Sequence, residues 1–389
     1  MTKHMQPAQR LAERVAERPP LIVRHVDAVA VALPLKKPMK MAGITIATAD
    51  NVLVRIEAEG AHGTVVGWGE AASAPTMTGD TLGGLVAAVR YLAPLVIGVD
   101  VWSGPALMRR LGAALMGNTG AHSAIELALL DLAGRAAGLP AIEIIGGARR
   151  HAVAPMWLLG NATPAEDAAE ARAKLAEGFR FFKVKVGAKS LDGDIAATLA
   201  VRETLGPELP ICADANCGFT REDARRYLEG TREARLMFLE QPLSSHDLDG
   251  LAALARISPI PLGADEGIHS LADVSAHADA GAGGLSLKLI KLGGMSVAVE
   301  AARLAERRGL ALNVAAKIAE SGIASAAAIN LACAVPSVGW GVSLTHFYLA
   351  HDIVKVPLEI ADGLVALPDA PGLGVEVDEA AVARFTVSA

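Results

Sequence analysis

The sequence predicts an α/β protein in which an N-terminal α+β unit precedes a barrel of eight strands alternating with helices. Three observations carry that expectation. The 389 residues suit two domains, one of them large. The hydrophobic pattern changes from alternating to helical near residue 81, and after residue 150 short apolar runs alternate with amphipathic stretches. Hydrophobic residues make up 52% of the chain and charged residues 20%, which supplies a large core and excludes a disordered chain.

Residues 1–20, MTKHMQPAQRLAERVAERPP, carry cations without an apolar stretch, so they read as a polar extension and not as a secretory signal. In 21–150, the segments HVDAVAVALPL, NVLVRIEAEG and HGTVVGWGEAA alternate like antiparallel strands joined by Gly-containing turns. Between about 81 and 139, three segments place apolar residues at i, i+3, i+4 and i+7, the helical spacing. Strands followed by helices make an α+β unit, with IIGGARR leading out of it. In 151–353 eight runs follow: MWLLGN, RFFKVKVG, LPICADANCG, LMFLEQPL, PLGADEG, LSLKLIKLGG, LALNVAAKIAESG and VGWGVSLTH. The stretches between them are amphipathic, and many open on Ser, Thr or Asp and close on Gly. This is the rhythm of a (β/α)8-type barrel. The Pro/Gly-rich segment 354–389 is expected to fold back onto the first unit.

Bulk properties exclude several functions. Mean hydropathy is +0.37, yet no apolar run reaches the ~18 residues of a membrane span. Alanine, a helix former, supplies much of that value. The net charge is −6 with no basic block, which argues against a nucleic-acid surface. Cys212, Cys217 and Cys333 fit neither a disulfide framework nor a zinc motif, so free thiols and a cytoplasmic location are expected. No phosphate-loop motif is present.

Parallel barrel strands are buried on both faces and should read as apolar runs. A charge within one is costly unless a partner or an ion compensates it. Here charges recur near the C-terminal ends of successive strands, where barrel enzymes place their chemistry: Lys183 and Lys185, Asp214, Glu240, Asp265 and Glu266, Lys288, and Glu320. Asp214, Glu240, Asp265 and Lys288 are spaced 26, 25 and 23 residues apart, one strand–helix unit each. The three carboxylates should therefore converge, and an all-oxygen set suits Mg2+ or, second, Mn2+. Lys183 and Lys185, at i and i+2, share one face of the second strand. Lys288 lies on the sixth strand, across the ring. Like charge and desolvation should depress these lysines toward service as bases. A cation polarising a carboxylate between two opposed bases suits removal of the α-proton and stabilisation of an enediolate. Cycloisomerisation, racemisation or epimerisation, and dehydration all follow from that step.

This constellation resembles the enolase superfamily, and within it the muconate-lactonizing (muconate cycloisomerase) subgroup of the mandelate racemase/muconate lactonizing enzyme family. The resemblance rests on K-x-K at Lys183–Lys185, D-A-N at Asp214–Asn216, E-Q-P at Glu240–Pro242, A-D-E at Ala264–Glu266, and K-x-x-K-x-G-G from Lys288 to Gly294. GWGEA (67–71), MTGDT (77–81) and ALLDLAGRAAGLPA (128–141) resemble that family's capping domain. It implies a (β/α)7β TIM-like barrel under an α+β lid completed by the C-terminal tail. It also implies a metal on Asp214, Glu240 and Asp265, Lys185 and Lys288 as acid/base pair, and Asn216 and Glu266 close behind the metal. The family often forms homo-oligomers.

Departures from the family bear on the substrate, a small carboxylate. Strand seven lacks the histidine of mandelate-racemase-like members, so the lysines must serve both faces. It reads Ala316-Lys317-Ile318-Ala319-Glu320. Glu320 is retained, and Lys317 replaces a small residue with a cation that could hold a second anionic group. The eighth strand lacks the D-x-D pair of dipeptide epimerases. Segments 33–43 and 73–81 are candidate lid loops. Lys36, Lys37 and Lys40 are candidates for a distal carboxylate, and Thr76, Thr78, Trp157 and His346 for the cavity wall. A cycloisomerase is the first reading; a racemase, epimerase or dehydratase of an N-substituted amino acid, a proline derivative or a hydroxy acid is the alternative. A non-catalytic barrel would require a gap in the constellation, and there is none.

Overall fold

The alternating N-terminal segments pair as one antiparallel sheet in the computed structural model, which describes residues 18–41, 44–160 and 163–389. β1 (Ile22–Met41), β2 (Ile44–Gly60) and β3 (Gly63–Ala72) lie side by side in sequence order. The first hairpin is longer than the sequence pattern suggests. Residues 33–41 are strand and not a lid loop, with the register shifting after Pro34 and pairing resuming at Met39 opposite Ile46. Prolines at 34 and 38 remove ladder donors, which disturbs the register without ending the strand. Of the polar extension, residues 1–17 lie outside the described residues.

Helix Thr119–Ala137 packs across this sheet. Gly67 and Gly69 make the approach possible, since a Cβ on either would collide with the helix carbonyls of Ala128 or Ala124. Leu85, Val89 and Leu92 of helix Leu82–Val96 share one apolar cluster with Val52, Val54 and Ile56 of β2. The Thr81 side chain caps that helix by accepting from the Gly84 N–H, replacing a bond its first turn lacks.

β4 (Ala152–Val153) leads into the barrel. Eight parallel strands then pair in sequence order: β5 (Met156–Leu159), β6 (Phe181–Lys185), β7 (Ile211–Asp214), β8 (Leu239–Glu240), β9 (Leu262–Ala264), β10 (Gly284–Leu287), β11 (Ala311–Ala315) and β12 (Val342–Ser343). A parallel bridge between Pro155 and Val342 joins last strand to first. The interior changes character along the strands. At the lower end Met156, Phe181, Cys212, Phe238 and Trp340 form an apolar plug, with the Phe238 and Trp340 rings stacked 3.9 Å apart. Two residues further along, the same strand faces carry Lys183, Asp214 and Glu240. Period-two alternation thus sets a charged layer directly above an apolar one.

The C-terminal segment returns to the first sheet. β13 (Val365–Ala366) pairs with β4, Thr386 bridges to Val31 of β1, and the Val387 N–H donates to the Ala30 carbonyl at 2.9 Å. Cys212 and Cys333 are buried and all three cysteines are free thiols. Among the described residues no helix is long and apolar enough to cross a membrane.

Because Trp340 fills the lower barrel, Trp340→Ala should cost roughly 3–5 kcal/mol of unfolding free energy. Urea unfolding of variant and parent, followed by circular dichroism, measures it.

Candidate active site

Strand register builds the upper layer. Lys185 lies opposite Asp214, and Asp214 opposite Glu240, on neighbouring strands. Asp265 follows β9 directly, and Lys288 follows β10 at the start of the short helix Leu289–Leu292. Asn216 and Gln241 adopt left-handed backbone angles, φ 43° and 37°, that turn the chain sharply after Asp214 and Glu240. Such a conformation costs roughly 1–2 kcal/mol outside glycine, and Gln241 offsets it with its side chain. Its amide donates to the Leu243 carbonyl at 2.9 Å, and its oxygen accepts from the Asp265 N–H at 2.8 Å. Gln241 therefore holds one carboxylate-bearing loop against the next.

Asp214, Glu240 and Asp265 are each buried, and one oxygen from each lies within 4.8 Å of the others. Four ammonium groups surround them. Lys185 donates to Asp214 at 2.6 Å and to the Asn216 oxygen at 2.9 Å. Lys183 donates to Glu240 and Lys288 to Asp265. Lys291, fully buried, donates to the other Asp265 oxygen at 2.6 Å and also to its backbone carbonyl. Asn216 in turn donates to Glu266 at 2.8 Å, while the second Glu266 oxygen is buried without a partner. Convergent carboxylates and an orphaned carboxylate oxygen behind them fit a hard divalent cation.

Burial alone would raise the Asp214 carboxyl, but the Lys185 and Lys183 charges outweigh it and hold it below the usual carboxylate range. Asp265 is likewise held down, the Lys288 and Lys291 charges overcoming its burial. Burial pushes Glu240 up, with the other two carboxylates adding to the effect. Burial beside Asp265 and Asp214 raises Glu266 to about 7. Lys183 and Lys288 depart from the sequence expectation. Burial does act to lower Lys183 and Lys288, but the carboxylates bonded to each prevail and raise both. The expected like-charge depression is outweighed at these two lysines because Lys183 is bonded to Glu240 and Lys288 to Asp265.

These groups line a cavity of about 180 Å3. It contains Lys183, Lys185, Asp214, Asn216, Asp265, Glu266, Lys288, Lys317 and, from the N-terminal unit, Thr76. Other sequence candidates are placed elsewhere. Thr78 donates to Asp80 at 2.8 Å, inside its own loop. Trp157 is buried against Tyr348 and donates to Glu170 at 2.9 Å. His346 is bonded through Nε2 to the Leu358 carbonyl. Lys36 reaches the Phe347 carbonyl, Lys37 pairs with Glu170 at 2.5 Å, and the Lys40 side chain lies outside the described residues. Sequence reasoning assigned no role to Lys291, Gln241 or Ser343. Lys291 had a detectable signal, a second charge inside the apolar run LKLIKLGG.

Glu320 faces the N-terminal unit, accepting from the Ala72 N–H at 3.4 Å and from the Lys317 N–H at 2.8 Å. Beside it Glu70, fully buried on β3, accepts from Asn51, from the Ser321 N–H and hydroxyl, and from the Ala324 N–H. Burial, then the neighbouring carboxylate, pushes Glu70 up to about 8; burial pushes Glu320 up to about 7. This acidic pair joins the sheet unit to the barrel.

Comparison with known proteins agrees with this geometry. Residues 23–146 match the mandelate racemase / muconate lactonizing enzyme N-terminal domain, and residues 166–381 match the enolase C-terminal domain-like family. The chain belongs to the mandelate racemase/muconate lactonizing enzyme family. Within that family, muconate cycloisomerase 1 of Rhodococcus opacus is 32% identical over 373 residues, 94% of this chain and 99% of the relative. Muconate lactonizing enzyme from Pseudomonas fluorescens, solved with muconolactone, superposes with a TM-score of 0.90 at 31% identity over 95% of this chain and all of that one. The N-succinyl Arg/Lys racemase of Bacillus cereus superposes with a TM-score of 0.88 at 26% identity, covering 94% of this chain and 98% of that one.

Two outcomes follow from the electrostatics. A divalent cation at about 100 times its Kd should stabilise the fold by about 2.7 kcal/mol, read as a rise in calorimetric melting temperature that EDTA reverses and Asp265→Asn diminishes. A carboxyl raised above its unfolded value stabilises the fold fully below about pH 4.5 and loses that contribution as pH climbs through 7 and 8. The melting temperature should therefore decline across that interval, and Glu320→Gln should make the decline shallower.

Proposed function

We propose that this chain is a divalent-metal-dependent isomerase that removes or delivers the proton α to a substrate carboxylate, acting as a cycloisomerase of muconate type. The observation that carries the reading is the pair Lys185 and Lys288, on the second and sixth strands of an eight-strand ring, flanking three buried carboxylates. On this reading 21–150 caps the barrel of 151–353, and 354–389 completes the cap.

Asp214, Glu240 and Asp265 would hold the metal, Mg2+ or Mn2+. Bound there, the cation would polarise the substrate carboxylate and offset the negative charge that raises Lys183 and Lys288. The residues of the chain do the rest. Lys185 takes or returns a proton at Nζ on one substrate face, oriented by its bond to Asn216. Lys288 does the same on the opposite face. Lys183 and Lys291 keep Glu240 and Asp265 in place through direct ion pairs. Thr76 and Met77 reach over the cavity from the cap and limit access of water.

A racemase or epimerase is the second reading, favoured by the lysine on each face. A proton removed at one ammonium position and delivered from the other inverts the α-carbon. Incubation in D2O separates the outcomes: unchanged skeleton with deuterium at the α-carbon indicates epimerisation, loss of water a dehydratase, and lactone formation from muconate a cycloisomerase. Lys288→Ala should lower turnover by roughly 10²–10⁴-fold and abolish exchange from one face. Exchange surviving equally on both faces, observed by NMR, would sink the opposed-lysine mechanism.

A further inference from the structure

Two buried polar side chains in the barrel wall have no part in the scheme above. Ser286 of β10 is 1% exposed and Asn313 of β11 is fully buried, and they stand opposite each other in the strand register. Each interrupts an apolar run, LSLKL and LALNV, so each costs free energy unless hydrogen-bonded. Their bonds lead to one of the three carboxylates. The Ser286 hydroxyl donates to Oε1 of Glu240, while Lys183 donates to Oε2 of the same group. β9 lies between β8 and β10, with Gly263 opposite Glu240. A Cβ at Gly263 would meet the Trp340 ring at 2.8 Å, so this position faces the barrel interior and puts no side chain between Ser286 and the carboxylate.

Asn313 is fixed from its other side. Its amide nitrogen donates to the Gly341 carbonyl at 2.8 Å and to the Trp340 carbonyl at 3.2 Å. Two acceptors on that side admit only the nitrogen, so the side-chain oxygen must point back at Ser286, 3.1 Å away. The serine has a single hydroxyl proton, which Glu240 and Asn313 share. A run of hydrogen bonds thus extends from the entry to β12, through β11 and β10, to the carboxylate on β8. Glu240 has the greater need of it. A glutamate has one more side-chain torsion than an aspartate, and only one of the Glu240 oxygens is held by a lysine, whereas Lys288 and Lys291 take both oxygens of Asp265.

We propose that Ser286 and Asn313 are positioning residues for Glu240, keeping its carboxylate turned toward Asp214 and Asp265 so that the three can take up a divalent cation together. The proposal rests on the reading that these three carboxylates hold the metal. Asn313 orients the serine, and the serine orients the carboxylate edge that Lys183 leaves free. Neither residue touches the substrate or the cation, and their contribution is to the affinity for the ion.

The test titrates the full chain with Mn2+, followed by the electron paramagnetic resonance signal of the free ion, and with Mg2+, followed by calorimetry. Ser286→Ala should raise the Kd of both ions by roughly ten- to a hundredfold, the range for losing a group that orients a metal ligand. Asn313→Ala should raise it by a smaller factor, and Ser286→Thr, which keeps the hydroxyl, should stay close to the parent. A pair that only supports the fold would lower the melting temperature of the metal-free protein and leave Kd unchanged. Where a single variant folds poorly, Ser286→Ala combined with Asn313→Leu removes both partners, a change that can be nearly neutral for stability, and its Kd should also rise. An unchanged or lowered Kd in Ser286→Ala and in the double variant overturns the proposal. Asp265→Asn separates that failure from failure of the reading beneath it. A parent that binds neither ion, or an Asp265→Asn variant that binds as tightly as the parent, overturns the metal site and the positioning roles together. Affinity lost in Asp265→Asn but kept in Ser286→Ala overturns the positioning roles alone.

Discussion

Three buried carboxylates packed within hydrogen-bond reach of four ammonium groups constrain everything above the barrel's apolar plug. Two unit charges 4 Å apart interact by about 4 kcal/mol at an effective dielectric of 20, so no member can be removed without leaving another uncompensated. That requirement explains why the chain tolerates left-handed turns at Asn216 and Gln241. A gentler turn would carry the next polar group out of the layer. The lysines divide by location. Lys183 and Lys291 are the most deeply buried and hold carboxylates, whereas Lys185 and Lys288 stand on opposite sides of the ring.

The same physics operates at the seam between sheet unit and barrel. Glu70 draws donors from β2 and from the start of helix Gly322–Ala334, and Glu320 reaches back to β3. The cap is thereby tied to the strand that carries Lys317.

Much of this could be read in the sequence, because a charge inside an apolar strand has few explanations. Asp214, Glu240 and Asp265 each interrupt such a run at a one-unit spacing, and the alternation of strand and helix marked the barrel. What escaped reading lay outside that contrast. Lys36, Lys37 and Trp157 are plausible wall residues by type, yet their directions depend on partners such as Glu170 and Phe347, distant in the chain. Segment 33–41 resembled a loop because of its prolines and lysines, but pairing with β2 overrides that local preference. The importance of Gln241 lies in a backbone angle and in the N–H of a neighbouring strand's loop, neither of which composition encodes.

β1 is an edge strand, and an open edge invites pairing with a second chain. Here that edge is sealed by Leu349, Thr386 and Val387, residues the ribosome adds only after every barrel strand has been made. The sheet translated first can therefore complete this part of its border only once the last barrel strand has been synthesised.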